Sequence, residues 1–596
     1  MGIEQLRIIN DHFPLQLLPQ CAYREQYICS CGCNFGEPQP STITAPKHIE
    51  LEGDRNLLIF IFRIKEEFLT QLLMSLIHIV SSAFCGHLGK IELDAVSLAT
   101  ASVTLLGTSM GIGLSTVCDT LISQTHGSKN LKRIGVILQR GILILLITCF
   151  PCWALFINIE HILLALKQSP AVAKLTQVYV KTYIPGLPAE ILYDLELRYL
   201  QNQGIIMPQV FVGFITNIFN AVIHYLFLYV LTLGVAGSAA ANVASQYCQL
   251  LLLFGYIRWK KLHVHTWAGW STDCLQEWGP FLQLAIPSMA MTCIEWWTYQ
   301  IGTFLVGLIN EVQLGAHAIV YQTLTIAYMV PLGFGAAAGV VVGNALGAGN
   351  PQRAVNYVKV AMYCIGAFCL VNAAILGAIK DVVGYIFISD KEIVELVAEI
   401  IPFCAAFHLF DAMAGVSSGV LRGAGKQKLG AIGNLVGYYL IGFPIGIALM
   451  FAVKLGAFGF WSGMLISVLV QLTFFQTVIC RMSWKKTSNR AQLNAGMTRE
   501  VIPSNSTSTG QIKNALIEAN TENSAVLLMP TVSQLEQKMD NDQVMDTSST
   551  ADTGVTTVGE ILSTKQLIIR RGLTFLSGLL ILVTGLVIHF SLEKDL

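Results

Sequence analysis

Glu295 is the single formal charge in PFLQLAIPSMAMTCIEWWTYQIGTFLVGLIN, the stretch from Pro280 to Asn310, and Trp296, Trp297 and Tyr299 follow it directly. The stretch is long enough to cross a bilayer, which takes roughly 20 apolar residues. A carboxylate at that depth costs about 3 kcal/mol or more, so it persists only where it faces water or protein. An acid beside aromatic faces is what a cation-binding, proton-exchanging cavity needs. The alternative is a protonated Glu that hydrogen-bonds a neighbouring helix. Helical spacing puts Thr292, Glu295 and Tyr299 on one face, with Gln300 well round the barrel.

Three further segments could contribute. In GAHAIVYQTLTIAYMVPLGFGAAAGVVVG the only acid or base is His317, and Tyr321, Thr325 and Tyr328 form a stripe with Gln322 beside it. Such a stripe suits a cavity wall, or equally hydrogen bonding between helices. His408 and Asp411 in PFCAAFHLFDAMAGVSSGV are three apart and share a face. They could share a proton and titrate as a unit, or form a satisfied core pair. Glu190, Asp194 and Glu196 in PGLPAEILYDLELRYL are secondary candidates, placed in interfacial water or against a central cavity. The Gly-rich segments GNALGAGN and LRGAGKQK lack the G-x-x-x-x-G-K-[ST] order of a phosphate loop and follow no strand. Nothing points to ATP hydrolysis, an enzyme activity, a cofactor or a metal centre.

The elements that must position these residues are membrane helices. Of 596 residues, 54% are hydrophobic and 12% charged, about half the charge of a soluble domain. The net charge of zero argues against a nucleic-acid partner. Most of the fifteen Cys lie in apolar segments, where a thiol acts as a small hydrophobe. The opening MGIEQLRIINDHFPLQLLPQ lacks the long apolar core of a signal peptide. Apolar runs predict helices near 68–87, 95–117, 134–157, 174–199, 208–230 and 234–257. A second set follows near 280–308, 315–340, 355–379, 393–420, 429–450 and 456–480, and a thirteenth helix covers 572–590.

The two sets repeat. GKIELDAVSLA (89–99) aligns with INEVQLGAHAI (309–319), and LTLGVAGSAAAN (231–242) with AVKLGAFGFWSG (452–463), setting Gly234 on Gly456 and Gly237 on Gly459. Both alignments use a shift of about 220. Six helices per copy return the chain to the same side, so the copies are parallel repeats, an architecture of secondary transporters with midplane substrate sites. The expected fold is all-α: two pseudo-symmetric six-helix lobes around a central cavity, plus a C-terminal transmembrane helix. Lys and Arg gather in the loops at 129–133, 258–261, 353, 422–428 and 481–486, which makes that side cytoplasmic.

The expected divisions are a cytoplasmic arm at 1–65, a first lobe at 66–260, a linker at 261–279 and a second lobe at 280–484. A disordered cytoplasmic tail at 485–565 and a last segment at 566–596 with an extracellular C-terminus follow. The tail is rich in Ser, Thr, Asn and Asp. Its Asn505-Ser506-Thr507 sequon stays unmodified if the tail is cytoplasmic. Cys21, Cys29, Cys31 and Cys33 in the arm lack the spacing of common zinc sites.

The segments SSAFCGHLGKIELDAVSLA, CDTLISQTHGSKNLKRIGVILQR, LAIPSMAMTCIEWWTYQIG, VGNALGAGN and GVLRGAGKQKLGAI resemble the multidrug and toxin extrusion family, in its vertebrate branch. The likeness runs from about 65 to 487 and again over RRGLTFLSGLL. It implies two six-helix lobes, a thirteenth helix, and electroneutral exchange of protons for organic cations such as drugs, toxins and metabolic amines. It further implies a plasma-membrane location on the apical surface of epithelia. Glu295 matches a family acid and Asp411 conservatively matches a Glu. Gln300 and Gln322 stand where the family carries Glu, and Val341 where an Arg is usual. Glu190 and Asp194 are additions that could compensate.

The resulting expectation is a monomeric exporter in which Glu295, Asp411 and His408 couple protons to cations. Trp296, Tyr299, Gln300, Tyr321, Gln322 and Tyr328 line its cavity. The rivals are a flippase-like or sodium-coupled member of the superfamily, and a non-transporting membrane scaffold.

Overall fold

An apolar outer surface around an interior that also buries many polar side chains organises this chain. The computed structural model describes residues 65–497 and 562–595, except 78, 82–83, 86–89 and 389. The Cys-rich arm, most of the tail and its sequon lie outside the described residues. Phe211, Phe214, Ile218 and Val222 are exposed on one helix, and Leu370, Val371, Val382 and Ile386 on another. Meanwhile Asn220, His224, Asn242, Ser245 and Gln249 are buried. A soluble protein buries the first kind and exposes the second, whereas a lipid-facing surface needs the reverse.

The first half holds α1 (residues 65–77), α2 (Ile91–Gly127), α3 (Leu131–Ile157) and a short α4 (Ile159–Ala165). It continues with α5 (Pro170–Tyr183), α6 (Gly186–Gln201), α7 (Met207–Val230) and α8 (Gly234–Trp259). The second half holds α9 (Trp278–Gly307), α10 (Glu311–Gly347), α11 (Pro351–Phe387), α12 (Lys391–Gly423), α13 (Gln427–Ala452) and α14 (Gly456–Arg481). Helices α15 (Trp484–Asn494) and α16 (Thr564–Asp595) complete the described chain. The fourth predicted span is two helices, α5 and α6, broken at Pro185, which has no N–H to give a helix ladder.

The repeat extends to backbone detail. Helices α2 and α10 are each 37 residues, with ends displaced by 220. Helices α8 and α14 are displaced by 222. Gly234 and Gly456 both open their helices at φ +58°, a left-handed conformation that suits glycine. The π-type turns at Leu226–Val230 and Ala448–Ala452 also correspond. Nine of the described helices are long and apolar enough to cross a bilayer. Helices α8 and α9 fall short in apolarity because they carry buried amides, Glu295 and the indoles.

Two polar stretches are ordered where the sequence suggested a plain linker and a disordered tail. In the linker, Glu277 takes both Arg133 (2.8 Å) and Arg140 (3.1 Å) of α3, all buried. Gln139 Nε2 donates to Gly269 O at 2.6 Å. At the start of the tail, α15 packs across both halves. Its Ser488 Oγ donates to Leu346 O (3.0 Å) and its Asn494 Nδ2 to Gln124 Oε1 (3.1 Å), while Asn130 Nδ2 donates to Ala495 O (3.0 Å). Helix α16 lies along α3, where Asn158 Nδ2 donates to Gly585 O at 2.9 Å.

Candidate functional site

Close backbone approach builds the frame of the site. On α10, Gly335, Gly339 and Gly343 recur every four residues and face Gly415, Gly419 and Gly423 of α12. A Cβ on Gly339 would sit 2.9 Å from Gly419 O. Spacing small residues by one turn is how membrane helices meet without a hydrophobic drive. The end of α10 also meets α2 of the other half. There a Cβ on Gly347 would strike Gln124 O, and one on Gly127 would strike Asn344 O. Thr120 Oγ1 donates to Arg422 O (2.6 Å), Gln124 Nε2 to Gly423 O (3.0 Å), and Gln427 bonds Thr120. The halves are sealed to each other at this end, beside the basic loops.

Within the frame lies a cavity of about 330 Å³ lined by both halves. The second half contributes Thr292, Glu295, Trp296, Tyr328 and Arg422, and the first contributes Thr108, Asp119, Tyr183, Glu190, Asp194 and Arg198. Glu295 is partly buried in this wall, and its carboxylate makes no hydrogen bond or ion pair among the described residues. Its electrostatic neighbours are Arg422, Asp411, Tyr299, Tyr328 and Tyr438. The π-type turn at Leu435–Gly442 sets Tyr438 among them, and such turns concentrate at functional sites.

The predicted residues separate into two layers. Glu295, Trp296 and Tyr328, with Glu190 and Asp194, line the cavity. Tyr299, Gln300, Tyr321, Gln322, His408 and Asp411 are not on its lining. Tyr299 and Tyr321 pack on each other at 5.7 Å, and Tyr321 stacks on His317. Thr325 of the predicted stripe is exposed and bonds back to Tyr321 O. His408 and Asp411 share a buried face but not a hydrogen bond. His408 instead meets the Tyr328 ring edge-on at 6.3 Å. Spacing of three sets the face, not the contact distance.

Sequence reasoning missed several lining residues; for Arg198 the signal was its position four residues after Asp194, whereas Asp119 and Thr108 had none nearby. Arg198 donates from Nε to Asp194 Oδ2 at 2.8 Å and from Nη1 to Asp119 Oδ2 at 2.5 Å, and Ser115 bonds Asp194. Asp194 and Asp119 are thus held in an ion-pair network. Glu190 accepts from neutral groups, Thr108 Oγ1 at 3.0 Å and Tyr183 OH at 2.9 Å, with the Gln246 amide beside them. Thr108 lies 82 residues away, on the π-type turn Thr104–Thr108 of α2. In all, four carboxylates (Asp119, Glu190, Asp194, Glu295) and two guanidiniums (Arg198, Arg422) face the cavity, which is therefore acidic.

The sequence model of the MatE family matches residues 68–226 and 287–448. Multidrug and toxin extrusion protein 1 of Danio rerio is 52% identical over 529 residues, covering 89% of each chain. The Homo sapiens protein of the same name is 48% identical, covering 93% of this chain and 98% of its own. The crystal structure of the eukaryotic MATE transporter AtDTX14 superposes with a TM-score of 0.71 at 29% identity, over 75% of this chain and 99% of that one.

Proposed function

This chain belongs to the MatE family of multidrug and toxin extrusion transporters, and we propose that it exports organic cations in exchange for protons through the Glu295 cavity. The observation that carries this reading is the Glu295 carboxylate, which faces a chamber shared by both halves and has no partner among the described residues. A carboxylate so placed can hold a proton or a cation, one at a time. Protons arriving from the more acidic side displace the cation, and the protonated carrier returns to reload.

Trp296 and Tyr328 offer ring faces in the same wall, each worth about 0.5–2 kcal/mol to a cation. Asp411 and His408 lie buried on one face behind the wall, His408 against the Tyr328 ring, which supports a second protonation step in that layer. The excess of carboxylates over guanidiniums disfavours a phosphate headgroup, and with it a flippase. The basic loops support a cytoplasmic arm and tail and an extracellular C-terminus. In that orientation the sealed end faces the cytoplasm. We assign the protein to the plasma membrane, on the apical surface of epithelia, as a monomer.

Vesicles loaded with radiolabelled tetraethylammonium and given an acid gradient test the mechanism. Parent protein should drive cation against its gradient, and Glu295→Gln should abolish that coupling. Equal gradient-driven flux in Glu295→Gln would show the carboxylate role to be wrong. Replacing sodium at fixed pH separates sodium coupling, and the absence of gradient-driven flux in the parent would favour a scaffold.

A further inference from the structure

In the cavity that Glu295 lines, the first half presents its own acid among aromatic and amide groups. Glu190 lies on α6 and lines the same cavity. The hydroxyls of Thr108 and Tyr183 both donate to its Oε2, and its other neighbour, the Gln246 amide, is neutral as well. No cationic side chain among the described residues forms an ion pair with it, in contrast to Asp194 and Asp119 on Arg198. The rings of Tyr179 and Tyr183 stack beside it, 6.3 Å apart and 11° from parallel, and both line the cavity. Gln246 Nε2 donates to Tyr183 OH at 2.7 Å.

A second observation is independent of the acid. Gln246 and Gln249 line this wall and are buried, at 8% and 5% exposed, yet Gln246 Oε1 and Gln249 Nε2 have no hydrogen-bond partner among the described residues. Buried amides left unsatisfied are costly and call for an explanation, a bound polar group being one. A carboxylate without a counter-charge, two tyrosine rings and an unsatisfied amide oxygen all suit a cation, and the Gln249 amide donor, being neutral, does not outweigh them.

We infer that Glu190, Tyr179, Tyr183 and Gln246 form a second cation subsite, so that the cavity accepts organic dications with one charged centre on Glu190 and the other on Glu295. This rests on the proposed function for its Glu295 end. It also gives the chain an acid in the cavity that the neutral Gln300 and Gln322 do not supply.

The test compares a monocation with an elongated dication. Membranes containing the full chain bind radiolabelled tetraethylammonium, which is displaced by unlabelled tetraethylammonium or by hexamethonium, and the ratio of the two inhibition constants is read. Losing a charge-assisted contact should raise the hexamethonium constant about tenfold or more relative to that of tetraethylammonium in Glu190→Gln. Glu190→Asp should recover most of the ratio. An unchanged ratio in Glu190→Gln, whether both affinities hold or both fall together, overturns the second subsite. If Glu190→Gln yields no binding protein, Gln246→Leu and Tyr183→Phe carry the same ratio test, and an unchanged ratio in both overturns it equally. Retained proton-driven exchange in Glu295→Gln sinks the coupling mechanism alone, because the Glu190 ratio is measured at equilibrium without a gradient.

Discussion

Gly347→Ala should push the protein out of the sealed conformer. The new methyl would strike Gln124 O and come within 2.7 Å of Gln124 C and 2.8 Å of Gln124 Cα, all backbone of the other half. No rotamer change relieves backbone overlap, so α2 and α10 must separate by roughly 1 Å, as expected for close-packed atoms. The bonds Thr120–Arg422 (2.6 Å), Gln124–Gly423 (3.0 Å) and Asn494–Gln124 (3.1 Å) span the same seam and lengthen with it. Overpacking costs about 1–3 kcal/mol and each weakened buried bond about 1 kcal/mol. A conformer whose halves have parted at this end pays neither. A net 2 kcal/mol or so moves the balance roughly thirtyfold.

Spin labels on Lys132→Cys and Gln352→Cys, exposed on the two sides of the seam, report it by pulsed dipolar spectroscopy after Cys21, Cys29, Cys31, Cys33, Cys248, Cys364 and Cys480 are replaced. The long-distance population should grow and turnover should fall. An unaltered distance distribution with unaltered transport would refute the tight seam.

Glu277→Ala removes the carboxylate shared by two buried guanidiniums and should cost about 3 kcal/mol. Thermal unfolding in detergent reads it, and an unchanged Tm would contradict the triad. Tyr328→Leu removes a cavity ring and should raise KM for a quaternary ammonium roughly 2- to 30-fold, an effect that transport at several concentrations would detect or exclude. Truncation after residue 497 strips α16 from α3 and removes the bonds Asn158–Gly585 (2.9 Å) and Arg571–Leu275 (2.8 Å). Stability should fall while KM stays within about twofold, since removing distant, independent contacts adds nothing at the cavity. A large KM change would tie the helix to transport.

Much of the fold could be read from apolar runs, because lipid demands long uninterrupted ones. The displacement of about 220 residues was readable for the same reason, as it rests on Gly234 and Gly456, whose left-handed backbone tolerates few other residues. Helix α15 was not readable. Its polar composition looks disordered, and its order comes from Leu346, Gln124 and Asn130, far away in sequence.

In the site, Glu295 stood out as a lone charge in an apolar span. Periodicity could assign faces, so it paired His408 with Asp411, but it could not tell a shared face from a hydrogen bond. It offered Arg198, four residues on, as a partner for Asp194, but it could not show what holds Glu190. That depends on the hydroxyls of Thr108 and Tyr183 arriving from α2 and α5.

Where α10 and α12 run backbone to backbone, the glycines leave their contact without a side chain of their own, and Tyr328 reaches in only at Gly415. Their regular rungs make neighbouring registers nearly equivalent. Gly335 sits between Gly415 and Gly419, and Gly339 between Gly419 and Gly423, so a slide of one turn, about 5.4 Å, would carry Gly335 to the place Gly339 now holds. Any β-carbon added to those rungs would act as a brake on such a slide.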